Sequence, residues 1–153
     1  MTGQFERRSR IGARAQKASR SLLVRDLMTS SVLTLRERDS LATLHDLMES
    51  RHLRHVPVVD EDGTLVGLVT HRDLLRRTAS GREELPMSLE RAILRGMTIG
   101  EIMTTAVETI EADRDLREAA QLMIENKFGC LPVVEGDELV GILTETDFVR
   151  YLA

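Results

Sequence analysis

The chain has little of what marks several large classes of protein. It contains one cysteine, Cys130, so no internal disulfide can form, and a reducing, cytoplasmic setting fits that usage. It has no Trp, one Tyr and three Phe in 153 residues, too few aromatics for broad stacking on nucleic-acid bases. No run of about 18 apolar residues occurs, so no membrane span is expected. The charged N-terminus lacks the continuous apolar stretch of a secretory signal. What is present is 42% apolar and 30% charged, which describes a soluble globular chain of one domain, or two small halves sharing a core.

Charge is distributed unevenly. Residues 1–23 hold six bases (Arg7, Arg8, Arg10, Arg14, Lys17 and Arg20) against one acid, Glu6, a balance of +5. The whole chain is −4, so residues 24–153 carry −9. An acidic body repels phosphate backbones and argues against nucleic acid as its partner. In the leader, Ile11, Ala15, Ala18 and Leu22 fall at i, i+4, i+7 and i+11, with Arg7, Arg10, Arg14 and Lys17 on another face. That spacing predicts a basic amphipathic helix, or a partly disordered arm, over residues 1–23. Such a helix can dock on its own acidic module or on a second subunit, or meet an anionic partner. Its small apolar residues would hold a membrane surface only weakly.

The dominant feature is an internal repeat. Offset by 75 residues, "MT" at 28 meets "MT" at 103, "LM" at 47 meets "LM" at 122, and "PVV" at 57 meets "PVV" at 132. One residue is then missing from a turn and the offset becomes 74. "LVG" at 65 meets "LVG" at 139, and Thr70, Asp73 and Arg76 meet Thr144, Asp147 and Arg150. The chain therefore divides into a leader (1–23), repeat 1 (24–78), a joining segment (79–97) and repeat 2 (98–153).

Both repeats follow one plan. "SSVLTL" and "TAVETI" alternate as strands do. Helices start near Asp39-Ser40 and near Asp113-Arg114-Asp115, residues suited to an N-cap. Leu41, Leu44, Met48 and Leu53 form one buried stripe, and Leu116, Ala119, Met123 and Phe128 the other, with Gly129 placed to end the second helix in a left-handed conformation. Hairpins follow, turning at "DEDG" and "EGDE", and short helices "DLLRRT" and "DFVRYLA" close each repeat. In the joining segment "SGREELP" reads as a loop and "SLERAILRG" as a helix capped by Ser88 and ended by Gly96. The fold class is α/β (α+β): two βαββα repeats packed face to face about a pseudo-twofold axis, because one copy alone buries too little surface. Ligand-sized clefts would lie between the copies, in pairs.

Gly-x-x-Thr-x-x-Asp recurs at Gly67, Thr70 and Asp73 and at Gly141, Thr144 and Asp147. Two readings stand side by side. The pair can be a capping box, in which the hydroxyl and the carboxylate satisfy helix-start amides. It can also hold a ligand, with helix-start amides and the hydroxyl meeting phosphate and the carboxylate accepting from ribose hydroxyls. The glycines leave room for a close backbone or ligand.

Paired "MT", "LPVV" and "LVGILT-x-x-D" in a βαββα order resemble a tandem pair of cystathionine-β-synthase (CBS) domains, a Bateman module, over residues 24–78 and 98–152. The resemblance implies a regulatory module that binds AMP, ADP or ATP, and in some members NAD or S-adenosylmethionine, with no cofactor required for its own function. It implies that Asp73 and Asp147 hold ribose hydroxyls and that Thr70 and Thr144 sit by phosphate. The backbone around His55-Val56-Pro57 and Cys130-Leu131-Pro132 would flank adenine, and Val32 to Thr34 and Val107 to Thr109 would line the clefts. It further implies a homodimer, whose contacts would include Leu74, Leu75, Phe148 and Val149, acting in trans on a regulated protein. Repeat 1 carries Arg54, His55, His71 and Arg72 where repeat 2 carries Gly129, Cys130, Glu145 and Thr146, so the Thr70–Asp73 cleft is expected to favour charged phosphates.

Other chemistry finds less support. His52 and His55 with Asp60 and Asp62 suggest a metal, but their counterparts at 127 and 130 are Lys and Cys, so ligand types are not kept. Cys130 has no partner that would activate a thiol and reads as a small buried residue. A small acid-base enzyme using His55 or His71 with Asp73 is weakened by the absence of both histidines from repeat 2. A structural oligomerisation module with vacant clefts is the third reading.

Overall fold

The computed structural model describes residues 21–79 and 86–153. Most of the basic leader, residues 1–20, and residues 80–85 of the joining loop lie outside the described residues. A short helix, α1 (Val24–Leu27), opens the described chain. Repeat 1 continues with α2 (Leu41–Arg51), β1 (His55–Val59), β2 (Leu65–Thr70) and α3 (His71–Ala79). Helix α4 (Met87–Gly96) and a 3₁₀ turn (Ile99–Glu101) lead into β3 (Ile110–Glu111), α5 (Leu116–Asn126), β4 (Cys130–Glu135), β5 (Glu138–Thr144) and α6 (Glu145–Leu152). No helix among the described residues is long and apolar enough to cross a membrane.

Local chemistry sets the helix limits. Ser40 caps α2 by accepting from the Thr43 amide, and Asp115 caps α5 by accepting from the Arg117 amide. The helices end at His52 and Lys127, both left-handed (φ 54° and 56°). The expectation that Gly129 would take that conformation is therefore corrected: Lys127 takes it, and Gly129 instead leaves room for His55, whose Nε2 would lie 3.0 Å from a Cβ at position 129. Helix α4 starts at Met87 with Pro86 before it, so Ser88 lies inside the first turn and does not cap. The two hairpins match in register: Val56 opposes Val69 and Val58 opposes Gly67, as Leu131 opposes Leu143 and Val133 opposes Gly141, with a bulge at the same place in each. Gly63 (φ 80°) and Gly136 (φ 63°) make the turns.

The alternating segments preceding the helices form less strand than their pattern suggests. Only Ile110–Glu111 pairs as a strand, parallel to Val133–Val134, while in repeat 1 a single parallel bridge joins Leu35 to Val58. Val32 to Thr34 and Val107 to Thr109 run without strand partners. These segments cross from one half to the other, and a crossing chain has no neighbour along most of its length.

That crossing organises the core. Leu41, Leu44, Met48, Val56, Val58, Val69 and Leu74 form one cluster, completed by Leu94 from the joining segment and Ile99 from the start of repeat 2. Ile110, Leu116, Ala119, Met123, Leu131, Val133 and Leu143 form the other, completed by Val24. Each half thus buries the entry segment of the other. The hydrogen bonds repeat with the same 75-residue offset: the Ile99, Gly100 and Leu41 amides donate to Asp39, Glu37 and Met97, as the Val24, Arg25 and Leu116 amides donate to Arg114, Ala112 and Leu22. Farther on, Thr104 bonds both ways with Leu68, and Thr29 does so with Ile142. Gly67 and Gly141 permit this approach. A Cβ on either would meet a crossing methionine sulfur at 2.6 or 2.5 Å and the Thr104 or Thr29 carbonyl at 3.1 Å. The space left by these glycines is filled by backbone.

Candidate functional site

The register of the hairpins brings the predicted residues to one end of the sheets. His55 opposes Thr70, and Cys130 opposes Thr144. Arg54 and Gly129 accept from the first amides of α3 and α6, His71 at 2.8 Å and Glu145 at 3.3 Å. These four chain ends converge on a cavity of about 600 Å³ lined from both repeats. Arg54, His55, Leu68, Thr70, His71, Arg72 and Leu75 come from repeat 1, and Lys127, Phe128, Gly129, Cys130 and Glu145 from repeat 2. Five of these side chains are basic or can become so, and Glu145 is the one acid. Burial is the main force on His55 and pushes its pKa below the usual imidazole value, with Glu145 opposing the shift. Burial drives the Cys130 thiol up to about 12, which keeps it protonated and unreactive at neutral pH.

The Thr-x-x-Asp pairs are capping boxes in both repeats, but they differ in what they leave over. The Thr70 amide and hydroxyl donate to one oxygen of Asp73, Oδ2, at 2.8 and 2.9 Å, and the Asp73 amide returns a bond to the Thr70 hydroxyl at 3.2 Å. Asp73 Oδ1 has no hydrogen-bond partner among the described residues, and Asp73 lines an open cavity of about 260 Å³ with Arg76, Arg77, Glu101 and Ile102. In repeat 2 the Thr144 amide and hydroxyl take Asp147 Oδ2 at 2.8 and 3.2 Å, and the Thr29 hydroxyl takes Oδ1 at 3.1 Å. Asp147 is 7% exposed. Both its oxygens are committed.

The remaining candidates are scattered. Val107 and Thr109 line a third cavity, of about 180 Å³, with Thr64, Leu65, Val66 and residues of the second hairpin. Val56, Pro57, Leu131 and Pro132 are fully buried, so only their backbones could meet a ligand. Val32, Thr34, Thr144 and Asp147 line none of these three cavities. No group of three or more metal-ligating side chains converges among the described residues. Thr29 and its counterpart Thr104 escaped the sequence reading as site residues. Their signal was the repeated "MT", legible as a repeat but silent about crossing to the other half.

The CBS domain model matches residues 24–80 and 99–153, most of the chain and both repeats. The chain belongs to the CBS domain family. As a CBS domain pair it is similar to the pair of protein MJ0100, crystallised with 5′-methylthioadenosine and S-adenosyl-L-methionine: TM-score 0.73, 28% identity, 87% of this chain and 97% of that one covered. It is similar also to CBSX2, a chloroplastic protein of Arabidopsis thaliana, crystallised with AMP: TM-score 0.71, 29% identity, 85% and 95% covered. Over 145 residues it is 32% identical to MJ1404 of Methanocaldococcus jannaschii, an uncharacterized protein, covering 90% of this chain and 34% of that one. The CBS pair therefore spans about a third of that relative's length.

Proposed function

We propose that this CBS pair is a regulatory module that binds an adenosine nucleotide on its Thr70–Asp73 side and acts in trans on another protein from a cytoplasmic setting. One observation carries the reading: among the described residues Asp73 keeps a carboxylate oxygen unengaged in an open cavity, whereas Asp147 has none to offer. A ribose diol needs such an acceptor. Thr70, bonded to Asp73, also faces the central cavity, where Arg54, Arg72 and Lys127 favour phosphate oxygens over a cationic sulfonium ligand. AMP, ADP or ATP thus fits this chain better than S-adenosylmethionine, even though the MJ0100 pair was crystallised with the latter. Of the first three amides of α3, those of His71 and Asp73 are already bonded, so phosphate would be met mainly by side chains.

A homodimer is part of the proposal. Leu75 and Val149 are 51% and 66% exposed on α3 and α6, while Leu74, expected at the same rim, is buried at 2% and Phe148 is half-buried. Any dimer contact there rests on Leu75 and Val149.

The nucleotide reading is tested by thermal shift. Ligand at about a hundredfold above its dissociation constant stabilises the fold by roughly 2.7 kcal/mol, or several degrees for a chain of this size. Asp73→Asn should keep the unliganded melting point within about 2 °C, because Asn still accepts at the cap, yet lose most of the ATP shift. No shift in the wild type with millimolar AMP, ADP or ATP would leave a vacant structural module. A loss equal or greater in Asp147→Asn would move the site to repeat 2.

A further inference from the structure

The internal symmetry extends beyond the two cores. Helix α4, just upstream of the segment by which repeat 2 crosses over, covers repeat 1 and packs along α2. Arg91 donates to both Asp46 oxygens at 3.0 and 2.7 Å, holding that carboxyl below its usual range, and Leu94 enters the core. Chain direction into that arrangement is fixed at Met97, whose carbonyl accepts from Leu41, and at Thr98, which bridges Ser40. In repeat 2 the Leu22 carbonyl accepts from Leu116 and Leu23 bridges Asp115, the same contacts 75 residues apart. The segment equivalent to α4 is then residues 12–21, and the helix equivalent to α2 is α5.

The outer face of α5 is open among the described residues. Position 121, equivalent to Asp46, is Gln121; beside it on the same stripe stand Glu118, Glu125 and Ile124, and Ile124 is 74% exposed. The two carboxylates beside it are exposed and each has one partner, Arg114 at 2.8 Å for Glu118 and the Gln121 amide at 2.6 Å for Glu125, while the isoleucine itself has no apolar cover among the described residues. The leader sequence combines apolar and basic residues: at helical spacing Ala15 and Ala18 would share one face and Arg14 and Lys17 another, with a further base at Arg20. It joins the described residues beside the start of α5, where the Leu22 carbonyl accepts from the Leu116 amide.

We propose that the basic leader docks within its own chain along the outer face of α5, covering Ile124 and setting Arg14, Lys17 and Arg20 against Glu118 and Glu125. The occupant is the leader because length, charge and point of attachment all suit it. The contact gives the second half an added segment at the place of α4, held by other residues, since Gln16 and Ser19 stand where α4 has Arg91 and Leu94.

Hydrogen exchange on the full chain tests this. Amides of residues 10–20 should exchange about tenfold or more slowly than in a free peptide of the same sequence. Ile124→Asp and Glu118→Lys/Glu125→Lys, both surface changes on α5, should each remove most of that protection. Reversing Arg14, Lys17 and Arg20 to Glu in the Glu118→Lys/Glu125→Lys background should restore it. Free-peptide exchange in the wild type would overturn the proposal, as would protection unmoved by the α5 variants. Protection that grows over a roughly hundredfold rise in protein concentration would overturn it too, by assigning the contact to a second copy.

Discussion

Replacing Asp147 by Ala should destabilise the fold much more than replacing Asp73, although the two occupy the same place in the repeat. Each loses a helix-capping carboxylate, which costs about 1 kcal/mol. At Asp147 a further bond is lost, because Oδ1 accepts from the Thr29 hydroxyl across the junction between the halves, at 3.1 Å. A hydrogen bond to a charged group contributes about 1.5–3 kcal/mol. Thr29 itself is largely exposed, so the low end applies and Asp147→Ala should cost about 2.5 kcal/mol against about 1 for Asp73→Ala. At about 2–4 °C per kcal/mol, the melting point should fall by roughly 5–10 °C in the first variant and roughly 2–4 °C in the second. Thr29→Val alone and combined with Asp147→Ala completes a double-mutant cycle, and urea unfolding should return a coupling of about 1.5 kcal/mol. Equal losses for the two aspartates, or a coupling within about 0.3 kcal/mol of zero, would refute the argument that the crossing threonine ties repeat 2 more tightly than repeat 1.

Gly67→Ala should cost about 1–3 kcal/mol in urea unfolding, because the added methyl meets Met103 and the Thr104 carbonyl. Gly100→Ala, whose nearest neighbour would be 3.5 Å away, should stay within about 0.5 kcal/mol of wild type. His55 has a depressed pKa in the fold, so below about pH 6.5 the unfolded chain takes up a proton that the folded chain resists, and stability falls as pH falls through that value. His55→Gln should flatten that part of the profile of urea midpoint against pH; an unchanged slope would place the titration elsewhere. Sedimentation at micromolar concentration should show a dimer that Leu75→Asp/Val149→Asp dissociates, and a wild type running only as a 17.2 kDa species would remove the dimer from the proposal.

The sequence by itself determined the repeat, the hairpins with their glycine turns, the two capped helices and their buried stripes. All are local or periodic: Ser40 and Asp115 cap because a hydroxyl or carboxylate beside a helix start has amides within reach, and Leu41, Leu44 and Met48 turn inward together because a helix repeats every 3.6 residues. It also placed Thr70 beside Asp73, since three residues on a helix start span a single turn. Only the tertiary structure decided that the "MT" segments exchange between halves, because a chain crossing to a distant partner leaves no periodic trace. For the same reason the alternation in "SSVLTL" suggested more strand than forms: a strand needs a neighbour, and pairing lies outside the pattern of one segment. Which aspartate keeps a free oxygen was likewise decided only in the tertiary structure. The motif is identical in both repeats, and the difference lies in Thr29, 118 residues away, whose hydroxyl fills the acceptor that Asp73 leaves free.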